Sequence, residues 1–252
     1  MNETLNLLEN RRSLRSYSDR PVESDTVNAV IHAAMRAPTA GNMMLYSIIE
    51  IADQALKNKL AVSCDNQPFI AKAPLVLLFA ADYRRWYDLF LHAGVEERCA
   101  AEGTDMRLPE EGDLLLACCD TLIAAQNTVI AAESLGLGSC YIGDIMENFE
   151  YHRDILALPK YVLPVTMICF GYPKKEPAGK QVPRFPQEFI HFKNTYRRLE
   201  DAELDTMAAQ VGPAADSPAE QVWKFYRRKV GSDFSIEMNR SVRAMMSSWV
   251  EG

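Results

Sequence analysis

Three arginines and a serine lie within five residues near the N-terminus, in the run Arg11-Arg12-Ser13-Leu14-Arg15. Arginine side chains stay charged and offer several N–H donors in a planar fork, which suits a phosphate group. The chain as a whole has a formal net charge of -7 and a sequence pI near 5.2, which argues against a diffuse basic surface for nucleic acid. The run therefore predicts either a local phosphate site or a solvated helix end with ordinary surface ion pairs.

Three later segments could complete a site. The first is the turn Ala37-Pro38-Thr39-Ala40-Gly41-Asn42, and the second is the run Gly136-Leu137-Gly138-Ser139-Cys140-Tyr141-Ile142-Gly143. The third consists of Gly171-Tyr172-Pro173 followed by Pro183-Arg184. Glycine lets the backbone approach a ligand closely, and asparagine tolerates turns.

Hydrophobic spacing predicts the elements that position these segments. A short helix over residues 3–9 leads into the arginine run, and a second helix follows Pro21, with Ser24 or Asp25 as its N-terminal cap. The dipeptide Ala37-Pro38 ends the second helix, because a residue before proline avoids the helical conformation. Strands are predicted over the ranges 47–52, 75–81, 139–142 and 165–170, of which 75–81 is apolar on both faces and therefore central.

The dominant predicted helix spans residues 113–135 and is apolar nearly all round. Such a helix is buried in a core or a subunit interface, and Gly136 and Gly138 are expected to end it. Strands and helices do not alternate strictly, so the pattern predicts an α+β fold with a central mixed sheet flanked by helices.

Two regions stand outside this plan. Residues 83–112, which contain Trp86, are interpreted as an inserted helical flap, and residues 202–252 are helical again, with a break at Gly212-Pro213. We predict one main domain over residues 1–200 and a C-terminal helical extension of it over residues 201–252.

Composition limits the class of protein. The chain has 252 residues, 48% of them hydrophobic, which is enough for a sizeable core. It shows no export signal, no uninterrupted apolar run of membrane-spanning length and no cysteine or histidine spacing that suits a metal site. Its six cysteines are therefore expected to be reduced thiols in a cytoplasmic protein.

The order and separation of the four segments resemble the FMN-dependent nitroreductase family. The resemblance covers roughly residues 5–200 and is closest to the oxygen-insensitive NADPH nitroreductase and flavin reductase branch. Its strongest single match is the run AAQNTVIAAESLGLGSCYIG, which ends at Gly143. The resemblance implies an intertwined homodimer with FMN bound between subunits, and the apolar helix 113–135 independently favours burial across an interface. Residues 241–250 are amphipathic and are expected to wrap the partner.

The resemblance also implies which residues bind the cofactor. The phosphate of FMN would be held by the N-terminal run together with basic residues near the end of the domain: Arg11, Arg12, Ser13, Arg15, Lys180 and Arg184. The ring would contact two polar side chains and one backbone segment: Asn42, Gln67, Tyr141, Ile142 and Gly143. A turn residue at Asn42, a helix-end residue at Gln67 and a surface lysine at Lys180 are the structural alternatives.

The implied activity is reduction of nitroaromatics, quinones or similar small acceptors by hydride transfer from NADPH or NADH through flavin N5. No side chain is predicted as an acid or base, since the protein mainly orients the reactants. Arg227, Arg228 and Lys229 are candidates for the 2′-phosphate of NADPH or for a solvated helix face. A flavin carrier or sensor without nicotinamide turnover is the alternative function, and a scaffold that binds an acidic protein through the arginine run is another.

Overall fold

The computed structural model describes residues 2–175, 181–211 and 216–251. The chain divides into two compact units. The first consists of Met1–Pro177 with Arg240–Gly252, and the second consists of Ala178–Asn239. The domain boundary expected at residue 200 stays a prediction.

The first unit is built on a four-stranded sheet. Its strands are β1 (Tyr46–Glu50), β2 (Leu75–Asp82), β3 (Gly138–Ile142) and β4 (Val162–Gly171). Their order is β1-β2-β4-β3, and all three pairings are antiparallel. A parallel bridge joins Ser13 to Ser139 beside β3. Strands β2 and β4 are central and buried along their whole length, which confirms the prediction for residues 75–81.

Eleven α-helices are present in the described residues. They are α1 (Glu3–Asn10), α2 (Ser24–Met35), α3 (Gln54–Ser63), α4 (Pro68–Lys72), α5 (Arg84–His92), α6 (Val95–Ala101), α7 (Glu111–Ser134), α8 (Phe149–Ile155), α9 (Asp201–Ala208), α10 (Pro218–Lys229) and α11 (Asp233–Val250). Short 3-10 helices span Ala40–Asn42, Gly143–Met146 and Gln187–Phe189.

Helices cover both faces of the sheet. Residues from α3 and α4 pack against one face, where Val76, Leu78 and Met167 point. Residues from α2 and α7 pack against the other face, where Leu77 and Ile168 point. The alternation follows from the two-residue period of a strand, and it makes the sheet a partition between the two helical layers.

Helix α7 is the long apolar helix that the sequence predicts. Nine of its residues are buried, mostly against α2 and the sheet, whereas Leu115, Leu116, Leu122 and Ile123 are exposed in the single chain. By length and composition alone it could cross a membrane, with a mean hydropathy of 1.6 over its best window. Its packing on the sheet is that of a core helix with one uncovered apolar stripe.

Three local predictions need correction. Neither Ser24 nor Asp25 caps α2, because both lie inside its first turn and Glu23 holds the cap position. Gly136 does take the left-handed conformation after α7, with φ 79°, but Gly138 is extended and opens β3. From the sequence we expect His152 in a connecting segment, whereas in the structure it lies in α8.

Residues 241–250 pack in part on their own chain, and their contact with a partner stays a prediction. They form the end of α11, and Trp249 is fully buried, edge-on to Tyr161 at 5.5 Å between ring centroids. The indole N–H of Trp249 donates to the backbone oxygen of Glu110 at 3.2 Å. These residues therefore complete the core of the first unit.

The flap and the region 201–252 contain helices, as predicted. Residues 83–112 contain α5 and α6. In the second unit, the described residues contain α9, α10 and the first part of α11. Gly212 and Pro213, where a break was expected, lie outside the described residues.

Candidate functional site

The arginine run is fixed along the outer edge of β3. Ser13 pairs with Ser139 in a parallel bridge, and the N–H of Leu14 donates to the backbone oxygen of Ser139 at 2.8 Å. Leu14 packs over Gly138, where an added Cβ would lie 2.4 Å from its Cδ2 atom. Leu14 can therefore approach β3 this closely only because residue 138 is a glycine.

Tyr17 anchors the other end of the run. Its hydroxyl donates to the backbone oxygen of Leu14 at 2.8 Å and lies 3.3 Å from that of Cys169. Its ring packs where a side chain at Gly171 would stand. Burial raises the pKa of Tyr17, so the hydroxyl keeps its proton and stays a donor. The segment therefore has a defined path although most of its side chains face outward.

Positive charge gathers at this edge of the sheet. Burial raises the pKa of the Cys140 thiol, and the nearby Arg15 and Arg11 guanidiniums partly oppose that rise. Burial likewise raises the pKa of Glu133, again opposed by Arg11. Arg11 and Arg12 are half-buried, while Ser13 and Arg15 are exposed. The structure thus brings Arg11, Ser13 and Arg15 to one edge, a donor set that fits a phosphate dianion.

Gln67 lies between α3 and α4, and its side chain is oriented by two acceptors. Its Nε2 donates to the backbone oxygen of Cys64 at 2.9 Å and to Oδ2 of Asp144 at 3.0 Å. Both amide hydrogens are used, so Oε1 is the atom that Gln67 can offer to a ligand. Arg15 lies over the ring of Phe69 at 6.0 Å, which places the arginine run beside α4.

The end of β3 offers accessible backbone next to these side chains. Tyr141 is 36% exposed, and its hydroxyl donates to Oε1 of Gln126 at 3.1 Å. Burial of much of its ring raises the pKa of Tyr141 to about 12. Ile142 is buried, and Gly143 has open space where a Cβ would stand. A planar ligand could therefore approach the main chain at Gly143 closely.

Asn42 lies elsewhere in the protomer, in the turn between α2 and β1. Gly41 and Asn42 have φ of 55° and 58°, and Asn42 is exposed. Its turn continues from α2 on one face of the sheet, whereas Gln67 follows α3 on the opposite face. One protomer therefore does not bring Asn42 and Gln67 to the same edge of a single ring.

The structure adds residues that the sequence reasoning missed. Asp144 orients Gln67, and two residues of α5 bind the turn that carries Asn42. Trp86 donates from Nε1 to the backbone oxygen of Met43 at 2.8 Å, and Arg85 donates to that of Met44 at 3.2 Å. Trp86 belongs to the predicted flap, but neither it nor Arg85 is part of a motif that points to the Asn42 turn.

The remaining basic candidates lie in the second unit or outside the described residues. Lys180 lies outside the described residues. Arg184 is exposed in the second unit, and Arg227, Arg228 and Lys229 form the last turn of α10 in that unit. Their roles stay predictions.

Comparison with known proteins now gives the site its context. A family model described as the Nitroreductase family matches residues 8–172, which is more than half of the chain. The chain belongs to the nitroreductase family. The matched span contains the arginine run, Asn42, Gln67 and the Tyr141–Gly143 segment, so every described part of the site in the first unit falls within the nitroreductase match.

Named relatives are similar over most of their length. The chain is 36% identical over 204 residues to the oxygen-insensitive NADPH nitroreductase of Salmonella typhimurium, covering 81% of this chain and 79% of that protein. It is 33% identical over 207 residues to the FMN reductase (NADPH) of Bacillus subtilis, covering 82% and 80%. The structure of the NADPH:FMN oxidoreductase from Vibrio harveyi complexed with NAD+ superposes with a TM-score of 0.76 at 25% identity, covering 97% of this chain and 98% of that one.

Proposed function

We propose that this nitroreductase-family protein is an FMN-dependent oxidoreductase. It takes a hydride from NADPH or NADH and passes it to nitroaromatics, quinones or similar small electrophilic acceptors. The observation that carries the proposal is the arginine run held along β3, the strand that leads to the accessible backbone at Gly143. The names of the relatives, an NADPH nitroreductase and two FMN-linked reductases, support the same chemistry.

The residues of the first unit suit FMN by their chemistry. Arg11, Ser13 and Arg15 would hold the phosphate, with Arg12 next to them in the chain, because charge-assisted hydrogen bonds to an anion are the strong ones. Oε1 of Gln67 would accept from the N–H on the pyrimidine edge of the ring, and the Tyr141–Gly143 backbone would lie along the ring. When bound, FMN supplies N5 as the atom that receives and releases the hydride.

The chain's part in the reaction is to bind, orient and exclude water. A backbone N–H near Gly143 would stabilise negative charge on the ring, as preorganised donors do. The exposed face at Tyr141 and Gly143 leaves room for a planar reactant to stack. No step in this scheme asks a side chain to act as an acid or base.

We further propose that the working form is a homodimer that places FMN between subunits. Asp120 of α7 bonds the turn with Asn42, and Glu133 of the same helix lies near Arg11 and Ser139. These two positions are thirteen residues apart, which is about 20 Å along a helix. Asn42 and the arginine run can share one flavin when a second copy supplies the turn.

The uncovered stripe of α7 supports that arrangement. Leu115 is 66% exposed in the single chain, and three neighbouring apolar residues of the helix are exposed with it. A two-fold partner would bury this stripe. We also place the protein in the cytoplasm, where the six cysteines would stay as the free thiols that the structure has.

The deciding measurement is the anaerobic visible spectrum of the purified protein, before and after NADPH and then NADH. Bleaching of the flavin band establishes nicotinamide-linked reduction and ranks the two donors. A flavin band that persists with both nucleotides contradicts the proposal and favours a carrier or sensor. A colourless protein that cannot be reconstituted with FMN contradicts the cofactor itself.

A pair of arginine variants tests the phosphate site. Arg15→Gln should raise the dissociation constant of FMN roughly ten- to 150-fold, since a hydrogen bond to a charged group contributes about 1.5–3 kcal/mol. Arg20→Gln is the matched control, because Arg20 is exposed in the same segment but pairs with Glu23 at 2.7 Å. Equal FMN affinity in the two variants would show that Arg15 does not bind the phosphate.

A further inference from the structure

Asp120 is a carboxylate in the long apolar helix α7, and it is only 4% exposed. It lies on α7, among the alanines and leucines that cover the sheet. A buried carboxylate costs several kcal/mol unless hydrogen bonds replace its hydration. Its partners therefore indicate what it is for.

The described partners of Asp120 come from one turn, residues 39–45. Oδ2 accepts from the hydroxyl of Thr39 and from the N–H of Leu45, the latter at 3.3 Å. Oδ1 accepts from the N–H of Ala40 at 3.2 Å. The Thr39 oxygen in turn accepts from the N–H of Met44 at 2.8 Å. One carboxylate thus holds both ends of the turn that carries Asn42.

The backbone conformation of that turn has to be stabilised by contacts with the rest of the protein. Asn42 and Met44 have φ of 58° and 49°, in the left-handed region that side chains other than glycine disfavour. Sparsely populated conformations of this kind cost roughly 1–3 kcal/mol each and persist where the surroundings impose them. The turn is therefore a shape that the rest of the protein maintains.

The turn is hydrogen-bonded from two sides, by an acceptor on one side and by donors on the other. Its N–H groups point to Asp120, while its carbonyls accept from Arg85 and Trp86 of α5. The Asp120 side requires an acceptor for three donors at once, and a carboxylate accepts without donating. An amide of the same shape presents a donor where an acceptor is needed.

We propose that Asp120 is a positioning residue for the flavin site. It acts through Asn42, which it places against the ring edge, and it does not itself touch the cofactor. The inference rests on the proposed function, because it assigns Asp120 to the site only if FMN is bound there.

The test is FMN binding by Asp120→Asn, read out by the dissociation constant of FMN and by the visible circular dichroism of the bound flavin. We expect the dissociation constant to rise about tenfold or more and the flavin dichroism to change, because the amide cannot accept all three hydrogen bonds. The control is Thr128→Val, which removes a buried hydroxyl of the same helix that bonds only its own helical carbonyl, at Ala124, 3.0 Å away. That variant should bind FMN as the wild type does.

A second pair of variants keeps the test decisive if Asp120→Asn fails to fold. Thr39→Val removes the hydroxyl that links Asp120 to Met44, whereas Thr39→Ser keeps that hydroxyl. We expect Thr39→Val to weaken FMN binding and change the dichroism, and Thr39→Ser to recover both.

Two outcomes overturn the inference in different ways. If Asp120→Asn and Thr39→Val lower thermal stability but keep the wild-type FMN affinity and dichroism, Asp120 is only structural. If the wild-type protein binds no FMN, the proposed function has failed and the inference falls with it.

Discussion

Gly138 sets the distance between the arginine run and β3, so replacing it with alanine should disturb the phosphate site directly. The new Cβ would lie 2.4 Å from Cδ2 of Leu14 and 2.9 Å from its Cβ. Rotating the Leu14 side chain relieves the first contact, but only a main-chain shift relieves the second. The main chain of Leu14 is bonded to Ser139 at 2.8 Å, so the shift also moves Ser13 and Arg15.

The magnitude follows from the cost of overpacking. Extra methyl groups in a well-packed region cost about 1–3 kcal/mol, so the free energy of unfolding should fall by that amount. A displaced phosphate donor costs about 1.5–3 kcal/mol of binding, so the dissociation constant of FMN should rise roughly tenfold or more. Urea unfolding and quenching of FMN fluorescence measure the two effects separately.

Two further variants make the result interpretable. Gly112→Ala is the matched control, since its Cβ would meet nothing within 4 Å and alanine favours the helix in which it lies. The double variant combines Gly138→Ala with Leu14→Ala, which removes the Leu14 atoms beyond Cβ that the new methyl group would meet. The loss of stability in the double variant should therefore be smaller than the sum of the losses in the two single variants. A Gly138→Ala protein with unchanged stability and FMN affinity, or strictly additive losses in the double variant, would refute this reasoning.

Two other residues give independent predictions. His152 is fully buried, and burial lowers its pKa below the ordinary 6.5, so the unfolded chain takes up the proton first as the pH falls. As the pH falls below 6.5, this group should therefore lower the free energy of unfolding by at most about 1.4 kcal/mol per pH unit. Urea unfolding at two pH values measures this, and the stability of His152→Gln should depend less on pH. Trp249→Ala should cost about 3–5 kcal/mol in thermal or urea unfolding, because the indole is wholly buried; a loss below 1 kcal/mol would mean that the end of α11 does not belong to this core.

The sequence was sufficient where one residue type decides the local structure. The continuous apolar run of β2, the nearly all-round apolar composition of α7 and the glycine that ends α7 at Gly136 predict these features from their residues alone. The arginine run and the Tyr141–Gly143 segment were found together because both belong to ordered motifs.

What the sequence could not give depends on tertiary partners. Ser24 looks like a helix cap, yet the register of α2 is set by packing against α7 and places Ser24 one position inside. Residues 241–250 are amphipathic in sequence and are expected to wrap a partner, and only their tertiary packing beside Tyr161 shows that Trp249 is a core residue. The hydrogen bonds that fix the Asn42 turn come from α5 and α7, which are distant from the turn in the sequence. No local sequence pattern predicts such contacts.

The separation of the Asn42 turn from the arginine run along α7 has a genetic consequence in the proposed dimer. Each flavin would draw its phosphate ligands from one chain and its Asn42 contact from the other. Two defective alleles, one changed at Arg15 and the other at Asn42, would then complement each other. In a mixed dimer both lesions fall on the same flavin, and the second flavin is built wholly from undamaged residues.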